Sequence, residues 1–148
     1  MSNAEYSPPR FTWILRLVLF VCGAGIVTLL AMAATLEPDA RGYGTHQQLG
    51  LPPCTIVELF GVRCPSCGMT TAWSHTLRLQ LVQAVKSSVS GMLLAMLSLF
   101  SGPWLMVSAG RGRWTWVSPN DWVIVSVTLF VIGAIVVEWC LRLNFMPL

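Results

Sequence analysis

A chain of 148 residues has the length of one ordinary domain. It is 55% hydrophobic and only 10% charged, against about 25% charged in a soluble domain, so a water-solvated surface over the whole chain is excluded. The net charge of +3 comes from scattered cations near the ends of apolar runs, which excludes a nucleic-acid-binding surface and suits membrane anchoring.

Residues 1–10 are a polar tail in which Pro8-Pro9 stops any helix. Residues 11–36 are apolar apart from Arg16 and read as the first transmembrane helix, since about 20 residues cross the hydrocarbon layer. Arg16 lies one turn from the end and can snorkel to the interface. Ala31-Met32-Ala33 has the small-residue form of a signal cleavage site. The stretch is longer than the roughly 7–15 residues of a signal core, so it reads as a span. Residues 37–88 form an extramembrane or interfacial segment that carries the motif CPSCG. Within it Cys54 to Phe60 is a short apolar piece, and Gly61 to Gly68 has turn chemistry. Helical spacing starts at Met69, is interrupted at Arg78 and Gln80, and resumes near Val82.

Residues 89–109 read as the second transmembrane helix, with Pro103 as a possible site of a kink. Ser87, Gly91 and Ala95 are spaced by four, as are Ser98 and Gly102. Such a face lets helix backbones approach closely, and other membrane proteins are the partners that would meet it. Residues 110–121 are a loop, and 122–143 the third transmembrane helix. Glu138 and Arg142 near its end have ion-pair spacing, which points to a structural role for this carboxylate.

Three spans put the N-terminus and the 110–121 loop on one side, where Trp13, Trp104, Trp114, Trp116 and Trp122 form an aromatic belt. Arg10, Arg111 and Arg113 lie close to span ends on that side, which favours a cytoplasmic N-terminus. The expected location is a bacterial inner membrane, with the lipid bilayer as the first partner.

Chemistry concentrates at Cys54, Cys64 and Cys67; Cys22 and Cys140 lie in apolar runs and read as packing residues. Two cysteines separated by Pro65-Ser66 can both reach one metal ion or close a small disulfide ring. Gly68 permits a positive φ just after them. Cys67 lies near a helix start, whose free N–H groups favour a thiolate. Ser66 and Thr70 read as helix-cap hydroxyls, and Glu58 as a partner of Arg63.

The stretch CPSCGMTTA, with Pro53-Cys54 and Phe60-Gly61 before it, resembles the bacterial domain-of-unknown-function 2752 family, small membrane proteins with a CPxCGxTRA-type motif. The resemblance covers residues 51–97 and departs at Thr71, where the motif has arginine. It implies a membrane location and a cysteine site, and supplies no activity.

The expected fold is an all-α membrane protein with three transmembrane helices, plus one or two short helices around a cysteine-containing hairpin. The expected function is that of an integral membrane protein with a cysteine-based site, structural or metal-binding, with no catalytic residue assigned. In the metal reading Cys54, Cys64 and Cys67 are joined by His75 or His46, a Cys3His set that suits zinc. The alternative is a membrane thiol–disulfide oxidoreductase using Cys64 and Cys67.

Overall fold

In the computed structural model residues 11–116 and 118–145 are described, the side chain of Phe145 excepted. The polar tail with Pro8-Pro9 and Arg10 lies outside the described residues. The rest forms α1 (Trp13–Thr35), a 3-10 turn (Thr45–Leu49), α2 (Thr55–Phe60), α3 (Met69–Leu77), α4 (Leu81–Ser87), α5 (Val89–Arg111) and α6 (Asp121–Phe145). No strand occurs among the described residues. Three of the helices, α1, α5 and α6, are long and apolar enough to cross a membrane. At about 1.5 Å per residue each is longer than the roughly 30 Å hydrocarbon layer. The connection between α1 and α5 holds three short α-helices rather than one or two, Thr55–Phe60 being the least packed of them.

Each long helix has local reasons for its ends. Thr12 caps α1, its Oγ1 accepting the Leu15 N–H at 3.3 Å. The helix stops at Leu36, two residues before Pro38, where the chain turns extended. Ser88 caps α5 by accepting the Gly91 N–H at 3.0 Å, and Gly112 ends it in the left-handed region, φ 66°. Pro103 lies inside α5 without ending it.

The helices α1 and α5 are antiparallel, since the Phe11 N–H donates to the Gly112 carbonyl at 2.8 Å. They approach closely where Gly23 faces Gly102. A Cβ at Gly23 would lie 2.8 Å from the Gly102 carbonyl oxygen, nearer than packed atoms allow. Farther along α5, a Cβ at Gly91 would lie 3.0 Å from the Ala72 Cβ and 3.1 Å from the Met69 Cα of α3. Ser90, Gly91, Ala95, Ser98 and Gly102 are all buried. The small-residue face of the second span therefore packs against α1 and α3 of its own chain. The face expected to meet other membrane proteins is thus occupied by two helices of the same chain.

Polar groups close both ends of this bundle. Arg16 does not merely reach the interface. Its Nε donates to the Ala109 carbonyl at 2.8 Å and its Nη2 to the Gly110 carbonyl at 2.9 Å, the last turn of α5. On the same side Trp114 stacks on Trp104 at 5.2 Å and meets Phe11 edge-on at 4.9 Å, while Trp13, Trp116 and Trp122 stay exposed. At the opposite end the Leu36 carbonyl accepts Ser74 Oγ at 2.5 Å and Arg78 Nη1 at 2.6 Å, tying α3 to the end of α1. In contrast, α6 packs along α5 alone among the long helices described, and every residue from Asp121 to Phe130 is exposed. Such a surface belongs in lipid.

Gly23→Val is expected to destabilise the chain in detergent by about 1–3 kcal/mol, since α1 and α5 must separate to admit the side chain. Gly25→Val, at a position with open space around it, serves as the control in the same thermal unfolding series.

Candidate metal centre

The site is built on one turn. The Cys67 N–H donates to the Cys64 carbonyl at 3.0 Å, closing a β-turn with Pro65 at its second position, where the fixed φ of proline fits. Gly68 follows with φ 86°, as its position after the cysteines predicts. Its lack of a side chain is required twice over. A Cβ there would lie 2.5 Å from the Ser87 carbonyl oxygen and 2.7 Å from that of Gly42, both rigid backbone. The turn is thus pressed between the end of α4 and the loop before the 3-10 turn, and α3 starts immediately after it.

This turn brings Cys64 and Cys67 together, their sulfurs 3.3 Å apart. Cys54, at the start of α2, completes a cluster in which all three sulfurs lie within 4.8 Å of one another. Cys67 is buried, the other two half-buried, and all are free thiols. Cys22 and Cys140 stand apart, exposed on α1 and α6 rather than packed. The three clustered cysteines line a cavity of about 490 Å³, whose wall also includes His46, Glu58 and Arg41. His75 does not join them. It lies in the last turn of α3, and its Nδ1 is 2.7 Å from Gln80 Oε1.

The thiols differ by environment. Burial pushes the Cys67 thiol up to about 12, reinforced by its hydrogen bond with Cys64. The expectation of a thiolate at Cys67 is therefore corrected: desolvation outweighs the nearby helix start. The helix-start effect falls on Cys54 instead. The backbone N–H of Val57, in the first turn of α2, favours its thiolate and holds the thiol below the usual range, against the opposing effect of burial.

The surroundings hold the turn in place. The guanidinium groups of Arg41 and Arg63 lie over the Tyr43 ring, 5.2 and 4.7 Å from its centre. Arg41 also pairs with Asp39 at 2.7 Å, which holds that carboxyl below its ordinary range. Arg63 therefore packs on tyrosine, and no ion pair joins it to Glu58 among the described residues. Nor do Ser66 and Thr70 cap α3, whose cap position is Gly68 and which has no side-chain cap; both line the cavity. Thr71, where the motif has arginine, is fully buried, its Oγ1 2.8 Å from that of Thr45. A guanidinium there would need the 3-10 turn to move.

Residues far along the chain also touch the turn. Trp139 Nε1 donates to the Arg63 carbonyl at 3.1 Å, and Arg142 Nη1 to the Cys67 carbonyl at 2.7 Å. Sequence spacing picked out Arg142 only as the ion-pair partner of Glu138, a pair that does form. Nothing in the sequence around Trp139 marks it.

Fold and site together define an all-helical membrane protein with three long apolar helices and a three-cysteine cluster between the first two. The model of a family described as proteins of unknown function, DUF2752, matches residues 54–102, the family that the CPSCGMTTA motif resembles. The matched third of the chain runs from Cys54 through the cysteine turn, α3 and α4 into α5. No curated protein and no solved structure matches the chain.

In reduced, metal-free protein near neutral pH, alkylation by iodoacetamide is expected to reach Cys54 first and Cys67 last, because the thiolate is the reacting form. Peptide mass spectrometry over a time course reads the order. Equal rates at the two positions would contradict the opposite effects of helix start and burial.

Proposed function

We propose that Cys54, Cys64 and Cys67 bind a zinc ion that fastens the extramembrane connection to the helical bundle. The observation that carries this reading is the gathering of three sulfurs within 4.8 Å. Tetrahedral zinc with bonds of about 2.3 Å to sulfur separates its thiolates by about 3.8 Å. The cluster needs only small shifts to reach that geometry. A mechanical need accompanies it. The helix α2 buries none of its residues and packs on no other helix among the described residues. Its first turn would be anchored through Cys54, and the turn before α3 through Cys64 and Cys67.

The fourth ligand in this reading is His46 rather than His75. His46 stands on the wall of the cavity that the sulfurs line, on a 3-10 turn anchored to α3 by the Thr45–Thr71 hydrogen bond. His75 is engaged with Gln80. A Cys3His set closes the coordination sphere, as structural zinc requires. Binding needs all three thiols ionised, so uptake releases protons, most of all from Cys67, and weakens as pH falls.

The separation of 3.3 Å between Cys64 and Cys67 favours one other reading, a thiol–disulfide exchange pair. Burial makes Cys67 a poor leaving group, which weighs against exchange, and the third sulfur, that of Cys54, within 4.8 Å of both is what favours the metal. The protein resides, in this proposal, in a bacterial inner membrane with its N-terminus inside. Arg111 ends α5 and Arg113 opens the short connection after it, the pattern of a cytoplasmic loop.

Elemental mass spectrometry on protein purified under reducing conditions without chelator is expected to find close to one zinc per chain. Cys54→Ser and Cys67→Ser each lose it. His46→Ala weakens it by more than about tenfold, as expected for a ligand if outer partners alone are worth 10–100-fold, while His75→Ala retains it. A metal-free wild type with three free thiols would sink the proposal. For the orientation, protease should remove an N-terminal tag in inverted vesicles and spare it in intact cells.

A further inference from the structure

We propose that the C-terminal end of α6 is part of the cysteine site, with Arg142 as a positioning residue, so that metal binding and the docking of α6 are coupled. The inference rests on the metal reading for its ligand and on geometry for the coupling.

The third long helix has little else to hold it. Its first ten residues are all exposed, and α5 is the one long helix it packs along among the described residues. Apolar surface in lipid gives no strong drive for one helix to pack on another, so directed polar contacts carry unusual weight. In α6 these contacts crowd into the stretch from Glu138 to Arg142. The Glu138 carboxylate accepts the backbone N–H groups of Val89 at 3.0 Å and Ser90 at 2.8 Å, and the Ser90 hydroxyl at 2.5 Å. Arg142 pairs with that carboxylate.

The same guanidinium then turns to the cysteine turn. Its Nη1 donates to the Cys67 carbonyl at 2.7 Å and its Nη2 to the Ser87 carbonyl at 2.6 Å. The Trp139 indole donates to the Arg63 carbonyl at 3.1 Å. Arg63 immediately precedes Cys64, so α6 holds the backbone on both edges of the Cys64–Cys67 turn. The distance between the two sulfurs depends on the shape of that turn. What α6 grips is therefore the geometry that two of the three sulfur ligands need.

The role is positional more than electrostatic. Glu138 already balances the charge of Arg142, and three acceptors from three different elements meet its guanidinium. The planar fork spreads its donors over two nitrogens, Nη1 for Cys67 and Nη2 for Ser87 and Glu138, whereas an ammonium group would have to serve all three from one point. Coupling of this kind is reciprocal. If docked α6 raises metal affinity, bound metal must favour docked α6 by the same factor.

Zinc affinity and Cys67 alkylation are measured in parallel on the full chain. Arg142→Gln and Arg142→Lys are expected to weaken zinc binding by about 10–100-fold, as for outer partners of metal ligands. Trp139→Phe, which removes a single hydrogen bond and keeps the packing, should weaken it by about 2–10-fold. Arg16→Gln, which uncaps the far end of α5 and touches nothing at the site, should leave the affinity unchanged and so controls for general destabilisation. In metal-free protein Arg142→Gln should speed Cys67 alkylation by about tenfold or more as the turn loosens. Wild-type affinity in both Arg142 variants and in Trp139→Phe would overturn the coupling and leave the metal reading standing. A wild type that takes up no zinc would overturn the metal reading. The alkylation rate then decides the grip of α6 on the turn, an unchanged rate refuting it and a raised one upholding it.

Discussion

The helix α5 has both of its ends satisfied by charged side chains from its two long neighbours, and the rest of the structure hangs on that constraint. A helix leaves N–H groups unpaired at its start and carbonyls unpaired at its finish. Near a membrane, where water is scarce, leaving them so is costly. Glu138 of α6 takes the N–H groups of Val89 and Ser90, and Arg16 of α1 takes the carbonyls of Ala109 and Gly110. Each charge also has the sign that opposes the local end of the helix dipole. Both neighbours are thereby set in register with α5: α1 by contact at Gly23 and Gly102 as well, α6 by its polar end.

The cysteine turn is attached to the same corner. Ser87 ends α4, Ser88 caps α5, and the Ser87 carbonyl sits under Gly68 and beside Arg142. Only glycine fits at position 68 because two backbone carbonyls close over it. The arrangement that starts α5 therefore also seats the turn carrying Cys64 and Cys67. Cys54 reaches the cluster on a helix with no packing of its own. The matched family segment, residues 54–102, includes the sulfurs and most of α5 but neither charge that caps α5.

Thiol chemistry follows from this seating. A cysteine pressed under a turn loses water, and its thiol resists ionisation; a cysteine at a helix start gains N–H groups that favour the thiolate. Cys67 and Cys54 show these opposite outcomes. A divalent metal removes the difference by stabilising every thiolate it binds, whereas thiol exchange would have to work against it.

By itself, the sequence determined what depends on neighbours along the chain. Runs of apolar residues long enough to cross the bilayer marked the three long helices, and the turn chemistry from Gly61 to Gly68 lies where helix gives way. The turn at Cys64–Gly68 was legible because proline and glycine restrict and permit backbone angles wherever they stand. Gathering Cys54 with Cys64 and Cys67 was open to inference from their spacing. Tertiary structure alone decided that His46 faces the cavity while His75 turns to Gln80, that burial rather than the helix start governs Cys67, and that α1 and α3 fill the small-residue face of α5. It also decided that Arg16 and Glu138 reach the ends of α5, and that Trp139 and Arg142 grip the cysteine turn. Each of these depends on which surfaces meet, and in a membrane that choice is made by backbone approach and polar contacts between distant residues, which leave no periodic trace in the chain.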